Sequence, residues 1–255
     1  MRNLGYCLPA SGMQEPRDAG SPTKILRCQP MSDEFLAPGR YIDSDAPNIV
    51  AFAKEAVGED GSALTRVLRL YRAVRDDIVY DPYVDLSDPV NFRASGVLAA
   101  GRGFCIGKAA LLAACCRVVG VEARVGYADV RNHLSSPRLT EHMGTDVYVW
   151  HSYTDILIDG AWVKATPAFN SALCRRLGLE PLAFDGRSDS LLHPYDRAGR
   201  LYMQYLDDRG TYADVPYDAI MTTFRSHYAA LMARHGLGGD FQAEAVAGEA
   251  ASQDA

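Results

Sequence analysis

Cys105 stands where a glycine-rich turn gives way to an apolar helix, and this setting favours thiol chemistry. Gly101 and Gly103 lie just before it. From Phe104 to Gly120 nearly every residue is apolar, a pattern that predicts a buried helix. A helix N-terminus carries unpaired N–H groups and the positive end of the dipole, so we expect a lowered thiol pKa and a site for an oxyanion. The alternative is a core cysteine whose glycines serve only the turn.

His151 is the candidate base for this thiol. It lies in an apolar run, flanked by Trp150 and Tyr153, that predicts a strand. A single histidine in a strand is more often a structural polar residue than a base. A cysteine on a helix with a histidine on a distant strand is, however, the arrangement that a Cys–His nucleophile requires.

The dipeptide Asp159-Gly160 separates two apolar runs and predicts a β-hairpin, because Asp-Gly readily adopts the positive φ angles of a two-residue turn. In that register Ile158 pairs with Ala161. Continuing the ladder places His151 opposite Ala168.

Thr166 and Asn170 follow from this register as the diagonal neighbours of His151 on the same face. Either side chain can exchange a hydrogen bond with the imidazole and so orient it. We therefore count both among the candidate catalytic residues, together with Cys105 and His151.

The remaining sequence supplies the elements that position these side chains. Helices are predicted at 45–58, 62–78, 94–100, 104–120, 171–178 and 217–235, and strands at 121–130 and on either side of the Asp-Gly turn. Residues 131–145 and much of the stretch after the hairpin are predicted to be loop. This order predicts an α+β fold in which N-terminal helices and a buried cysteine-bearing helix pack on an antiparallel β-sheet.

Composition argues against several functional classes. The chain has 255 residues, 48% of them apolar, which is enough to bury a core. Its net charge of -6 comes from 26 basic and 32 acidic residues that are well mixed, so nucleic acid is not an expected partner. No apolar run approaches the ~20 residues that span a bilayer. The six cysteines lack disulfide or metal-site spacing, which favours a reducing cytoplasm and no cofactor.

We expect a single domain over residues 36–235. Residues 1–35 are rich in proline, glycine and serine, and residues 236–255 are similar in character, so both are predicted to be disordered or loosely attached. The first twenty residues lack the apolar core of a signal peptide, and Met31 is an alternative start.

Other polar residues receive a lesser role in this interpretation. His133 and His142 fall in the predicted loop, and no cysteine or carboxylate pattern joins them into a zinc site. His193 is interpreted as surface loop, although such loops can border a cleft. Tyr80 and Tyr83 precede the cysteine helix and could form a wall of that cleft.

The cysteine-bearing segment and the hairpin together resemble the core of the transglutaminase-like superfamily, which is related in fold to papain. Three features within residues 64–170 carry the resemblance: the Gly-x-Cys helix start that leads into GVEARVG, the strand WHSYTDILI, and the strand AWVKATP. The resemblance implies that Cys105 is the nucleophile and His151 the base. It also implies an aspartate just before the proline of the second hairpin strand, where this sequence has Thr166.

Thr166 departs from the family pattern, because a threonine offers only a neutral hydrogen bond where an aspartate would stabilise an imidazolium. One interpretation is that Asn170 substitutes, since asparagine orients the histidine in papain-like proteases. The other is that the site is weakened or inactive. The retained Cys105 and His151 favour an active site.

The resemblance implies acyl transfer through a thioester on Cys105, with a peptide, a protein or a small amide as substrate. Hydrolysis and cross-linking share the first half-reaction, and a small domain of bacterial type favours hydrolysis. The alternative is an inactive transglutaminase-like module that binds a peptide or a protein partner.

Overall fold

The computed structural model describes residues 33–133, 135, 137–232 and 241–244. Most of the predicted N-terminal extension and C-terminal tail lies outside these residues. Two short pieces of them are described, and both pack on the body. Phe35 contacts Trp162 edge-on with 5.4 Å between ring centroids, and Phe241 is buried.

Eight named α-helices and six β-strands are present in the described part of the chain, and residues 241–244 are helical as well. The helices are α1 (Pro47–Val57), α2 (Ala63–Asp77), α3 (Ala94–Ala100), α4 (Cys105–Val118), α5 (Pro137–Met143), α6 (Ser171–Arg176), α7 (Tyr217–His227) and α8 (Ala229–Met232). The strands are β1 (Val79–Tyr80), β2 (Arg102–Gly103), β3 (Ala123–Asn132), β4 (Val147–Ile158), β5 (Ala161–Ala165) and β6 (Met203–Tyr212). No helix of the described ranges is long and apolar enough to cross a membrane.

The predicted α+β architecture is confirmed. Four antiparallel strands form the main sheet in the order β5-β4-β3-β6, and β1 and β2 form a separate parallel pair. Helix α4 packs on β4 and β3 and is surrounded on its other sides by α1, α2 and α3. Every residue from Ile106 to Arg117 is buried, as an almost continuously apolar helix requires.

Helix α2 joins the cysteine helix through a buried lysine. Ser62 caps its first turn by accepting a hydrogen bond from the amide of Thr65 at 3.2 Å. At its other end, Lys108 of α4 donates through Nζ to the carbonyl of Arg75 at 3.0 Å and to that of Ile78. Since the last carbonyls of a helix have no partner within it, Lys108 satisfies the end of α2 and fixes it against α4.

The hairpin prediction is confirmed at the turn and is wrong beyond it. Ile158 pairs with Ala161 across a turn in which both central residues have positive φ, as expected. The ladder ends where Thr154 faces Ala165, so His151 has no partner on β5. Pro167 has no amide hydrogen to continue the ladder, and the amide of Thr166 donates instead to the carbonyl of Ser190 at 2.8 Å.

Three other boundaries differ from the sequence prediction. Helix α5 lies inside residues 131–145, which were predicted to be loop. The last predicted helix ends at His227 and is followed by the short α8. Strand β6 lies in the stretch predicted to be loop-rich, because as an edge strand it is largely exposed and its polar residues hide the alternating pattern.

Candidate active site

Cys105 is the first residue of α4, as predicted. The preceding residue, Phe104, has an extended backbone and provides no side-chain cap, so the first amides of the helix remain available. One turn along, a Cβ at Gly107 would lie 2.5 Å from the carbonyl oxygen of Asn91. Glycine at this position therefore allows the chain before α3 to lie directly against the start of the cysteine helix.

The exposure of Cys105 sets it apart from the other described cysteines. Its side chain is half-buried and lines a cavity, whereas Cys115, Cys116 and Cys174 are completely buried. Cys7 and Cys28 lie outside the described residues. The adjacent pair Cys115 and Cys116 packs in the core as small apolar side chains, which is the role that its place in an apolar helix predicts.

The cavity that Cys105 lines is large and mainly apolar. It encloses about 970 Å³ when its open mouth is counted. Its walls come from α4, α5, β4, β6 and α7, from Tyr80 of β1, and from Phe169 on a connecting segment. His151 lines the same cavity, so the structure brings the two predicted reacting side chains to one site.

The thiol of Cys105 is protonated at neutral pH, which corrects the expectation that the helix start lowers its pKa. Burial raises the pKa to about 11. The backbone N–H groups of Ser152, Ile106 and Cys105 face the sulfur and act in the opposite direction, but they do not outweigh the loss of hydration. The same N–H groups are placed to stabilise negative charge that develops beside the sulfur.

His151 is neutral for the same reason. Burial, and to a lesser extent the nearby His193, lowers its pKa to about 4. The resting site therefore holds a neutral thiol and a neutral imidazole. Attack on a substrate requires the imidazole to take the thiol proton as the sulfur reacts, which is general-base catalysis.

A β-bulge immediately before His151 sets the direction of its side chain. Trp150 has a left-handed backbone with φ of 61°, which is rare for a bulky residue. The register between β3 and β4 shifts here, and the carboxylate of Asp129 accepts the amide of Trp150 at 3.1 Å. Arg209 pairs with the same carboxylate at 2.7 Å and lies over the indole ring at 4.9 Å.

Strand β4 is also fixed directly to the cysteine helix. The hydroxyl of Thr154 donates to the carbonyl of Ala109 at 2.9 Å, and both residues are fully buried. This bond lies three residues beyond His151 on the strand and four residues beyond Cys105 on the helix. It therefore holds the two elements that carry the candidate pair in a fixed relation.

Thr166 lies beside His151, at a second and smaller cavity of about 220 Å³ that both residues line. Its side chain is 3% exposed, and its hydroxyl has no hydrogen-bond partner within the described residues. A buried hydroxyl without a partner is costly unless a small molecule such as water satisfies it. The position that the resemblance assigns to an aspartate thus lines the same small cavity as His151.

Asn170 has a different role in the structure. Its Oδ1 accepts the amide of Tyr80 at 3.2 Å, and its side chain lines neither of the two cavities. Within the described residues it makes no hydrogen bond to His151. Because β5 ends before this point, the register that placed Asn170 diagonal to His151 does not extend to it.

His193 is a residue of the site that the sequence interpretation placed on the surface. It is 7% exposed, and it lines the smaller cavity with His151 and Thr166. Its Nε2 donates to the carbonyl of Glu180 at 2.7 Å, which leaves Nδ1 as an acceptor in the neutral ring. The two leucines before it and the proline after it are the only local sequence signal that could have suggested burial.

Comparison with known proteins supports the assignment of this fold. Residues 50–167 match the family model of the transglutaminase-like superfamily, so this part of the chain is a transglutaminase-like core. The match spans α2, α4 and the hairpin, and includes Cys105, His151 and Thr166. The resemblance inferred from the sequence is confirmed.

Two solved structures are similar to this chain at low identity. The "putative cysteine protease" of Cytophaga hutchinsonii is 20% identical with a TM-score of 0.48, covering 77% of this chain and 52% of its own. The "putative protease" of Parabacteroides distasonis is 16% identical with a TM-score of 0.34, covering 55% of this chain and 26% of its own. This chain thus spans about half of the first protein and a quarter of the second. The search of curated proteins returned no relative.

Proposed function

We propose that the protein is a cysteine-dependent acyl-transfer enzyme that acts on peptide or amide bonds, with Cys105 as nucleophile and His151 as base. One observation carries the proposal above the others. The one half-buried cysteine of the described residues lies at a helix start and lines the same cavity as a histidine on the neighbouring strand. This is the arrangement of a thiol nucleophile with its base.

The first half-reaction follows from the neutral resting state. As the sulfur of Cys105 attacks the substrate carbonyl, Nδ1 or Nε2 of His151 takes the thiol proton. The carbonyl oxygen gains negative charge beside the N–H groups that face the sulfur. The imidazolium then returns its proton to the departing nitrogen, the C–N bond breaks, and a thioester on Cys105 remains.

The second half-reaction decides between hydrolysis and cross-linking. His151 deprotonates either water or a primary amine, which attacks the thioester and releases the thiol. We propose hydrolysis of a peptide or amide bond as the main outcome. Amine release from a casein peptide, measured with and without added putrescine, separates the two. If the reaction is hydrolysis, the amount of amine released is the same with and without putrescine. If it is cross-linking, putrescine becomes attached to the casein peptide.

The variant Cys105→Ala tests the role of the thiol. Loss of amine release from the casein peptide in this variant supports the proposal, and unchanged amine release overturns it. Cys174→Ala is the matched control, because that thiol is completely buried and does not line the larger cavity. The control must retain release at a level close to the unmodified chain.

A non-catalytic module that binds a peptide or protein partner is the second candidate. The observation that favours it is the raised thiol pKa together with the unpartnered hydroxyl of Thr166 in place of a carboxylate. Full biological function in the Cys105→Ala variant supports this second candidate.

A further inference from the structure

Residues Phe241–Glu244, here called the cover segment, lie against the cavity that holds Cys105. Phe241 is 8% exposed and forms part of the cavity wall. Its ring meets those of Tyr80 and Tyr83 edge-on, with centroid distances of 5.9 and 5.7 Å. An aromatic side chain from this segment therefore fills part of the cavity that also holds the thiol, and a substrate side chain could take that space.

The carboxylate of Glu244 fixes the other end of the cover segment. It accepts a hydrogen bond from the hydroxyl of Tyr83 at 2.5 Å and pairs with Arg138 of α5. The guanidinium of Arg138 also lies over the ring of Tyr83 at 5.4 Å. Glu244 lines the same cavity as Phe241 and Cys105. The segment is therefore fixed at the cavity by an apolar side chain at one end, Phe241, and by a carboxylate at the other, Glu244.

Two further hydrogen bonds hold the middle of the segment. Nε2 of Gln242 donates to the carbonyl of Tyr80 at 3.1 Å, and Nη1 of Arg176 donates to the carbonyl of Gln242 at 2.9 Å. Ala243 between the anchors is exposed. Residues 241–244 form a helical turn, in which Phe241 and Glu244, three residues apart, lie on one side.

We propose that the cover segment is an intramolecular competitor for the substrate of Cys105, and that the site takes a peptide with an aromatic side chain and a carboxylate three residues later. The inference rests on the proposed thiol chemistry. A substrate of that kind would displace Phe241 and Glu244 from Tyr83 and Arg138. The ion pair at the mouth is partly exposed to solvent, so it forms a contact that can open.

Two truncated chains test this proposal. One lacks residues 241–255, and its matched control lacks only residues 245–255 and keeps the cover segment. The readout is the rate at which iodoacetamide alkylates Cys105, followed by mass spectrometry. We expect the first chain to react at least about tenfold faster than the control, which corresponds to about 1.4 kcal/mol of closure. Equal rates overturn the proposal.

Point variants of the full chain test the same idea without truncation. Phe241→Ala and Glu244→Gln should each raise the alkylation rate of Cys105, whereas Ala243→Ser at the exposed position should not. The peptide acetyl-Phe-Gln-Ala-Glu-amide, added to the chain that lacks residues 241–255, should slow alkylation. The same peptide ending in glutamine should slow it less. A peptide without effect overturns the proposed recognition.

The alkylation rate separates this proposal from the proposed enzymatic function. If both truncated chains fail to release amine from casein peptides but differ in the alkylation rate of Cys105, the cover segment does shield the thiol and the proposed enzymatic function is wrong. If both chains release amine at the same rate and are alkylated at the same rate, the proposed enzymatic function is supported and the proposal that the cover segment competes with the substrate is wrong.

Discussion

At the scale of single residues, the site depends on two groups whose burial keeps both uncharged. The pKa of Cys105 is raised to about 11, and that of His151 is lowered to about 4. A thiolate–imidazolium pair would be favoured only if the pKa of the thiol were lower than that of the imidazole. In the mechanism that we propose, the neutral pair is therefore the form that reacts, and the proton moves from the thiol as the substrate is attacked.

This protonation state predicts the pH dependence of kcat/KM. Activity should rise as pH increases through about 4, because His151 must lose its proton to act as a base. It should then stay level through neutral pH up to about 9, since the thiol remains protonated until about pH 11. Rates on an amide substrate from pH 4 to 9 check this. A bell-shaped curve centred near pH 6 would contradict it.

Thr166 offers the second test at this scale. A carboxylate in the small cavity beside His151 would favour the imidazolium and thus raise the pKa of His151. We expect Thr166→Asp to raise kcat/KM at pH 7 by at least about tenfold and to move the acid limb of the profile to higher pH. Thr166→Asn is the neutral control. Identical kinetics for the two variants would show that position 166 does not act on His151.

At the scale of the elements, the bulge in β4 connects the sheet to the base. The carboxylate of Asp129 holds both the amide of Trp150 and the guanidinium of Arg209. Without it, a left-handed tryptophan would lack the contacts that compensate for its strain. His151, the next residue, would then lose a defined direction.

We expect Asp129→Ala to lower kcat more than it raises KM, and to lower stability by about 1–3 kcal/mol through the uncompensated arginine and amide. Asp207→Ala, at an exposed neighbour on β6, is the control. Steady-state kinetics and urea unfolding give the two quantities. A loss of stability with unchanged kcat would show that the bulge supports the fold but does not position His151.

The contact between α2 and α4 has a pH dependence of its own. Burial lowers the pKa of Lys108 to about 7, while the unfolded chain keeps a value near 10.5. Between these values the unfolded state binds more protons, so the contribution of this lysine to stability increases as pH rises from 7 to about 10.5. Below pH 7 the lysine is charged in both states and its burial is fully unfavourable.

We therefore expect the stability of the unmodified chain, relative to that of Lys108→Met, to increase by at most about 1.4 kcal/mol per pH unit between pH 7.5 and 9.5. The comparison with the variant cancels the titration of the buried thiols, which acts in the opposite direction above pH 9. Urea unfolding at several pH values measures the difference. A constant difference would contradict the lowered pKa of Lys108.

At the scale of the whole molecule, the sequence predicts the parts of the fold that local signals determine. The apolar run after Cys105 and the Asp-Gly turn each specify an element without help from distant residues. The helix start and the strand histidine were therefore sufficient to identify the candidate pair. The family match over residues 50–167 confirms that this core is transglutaminase-like.

Features that depend on distant contacts were not predictable in the same way. The bulge at Trp150 is stabilised by Asp129 and Arg209, which lie on two other strands. His193 is buried among groups from other parts of the chain, with its ring against those of Phe169 and Tyr202. Phe241 was assigned to a loose tail because its packing against Tyr80 comes from an element that is remote in sequence.

The pairing of a buried thiol with a neutral base is most directly tested by trapping the acyl group on the protein. The unmodified chain is mixed with an activated ester of an N-acetylated phenylalanine, quenched in acid within milliseconds, and digested for mass spectrometry. We expect one acyl group on Cys105. In His151→Ala its formation should be at least about a hundredfold slower, as expected for loss of a general base. Acylation elsewhere, or an equal rate in that variant, would contradict it.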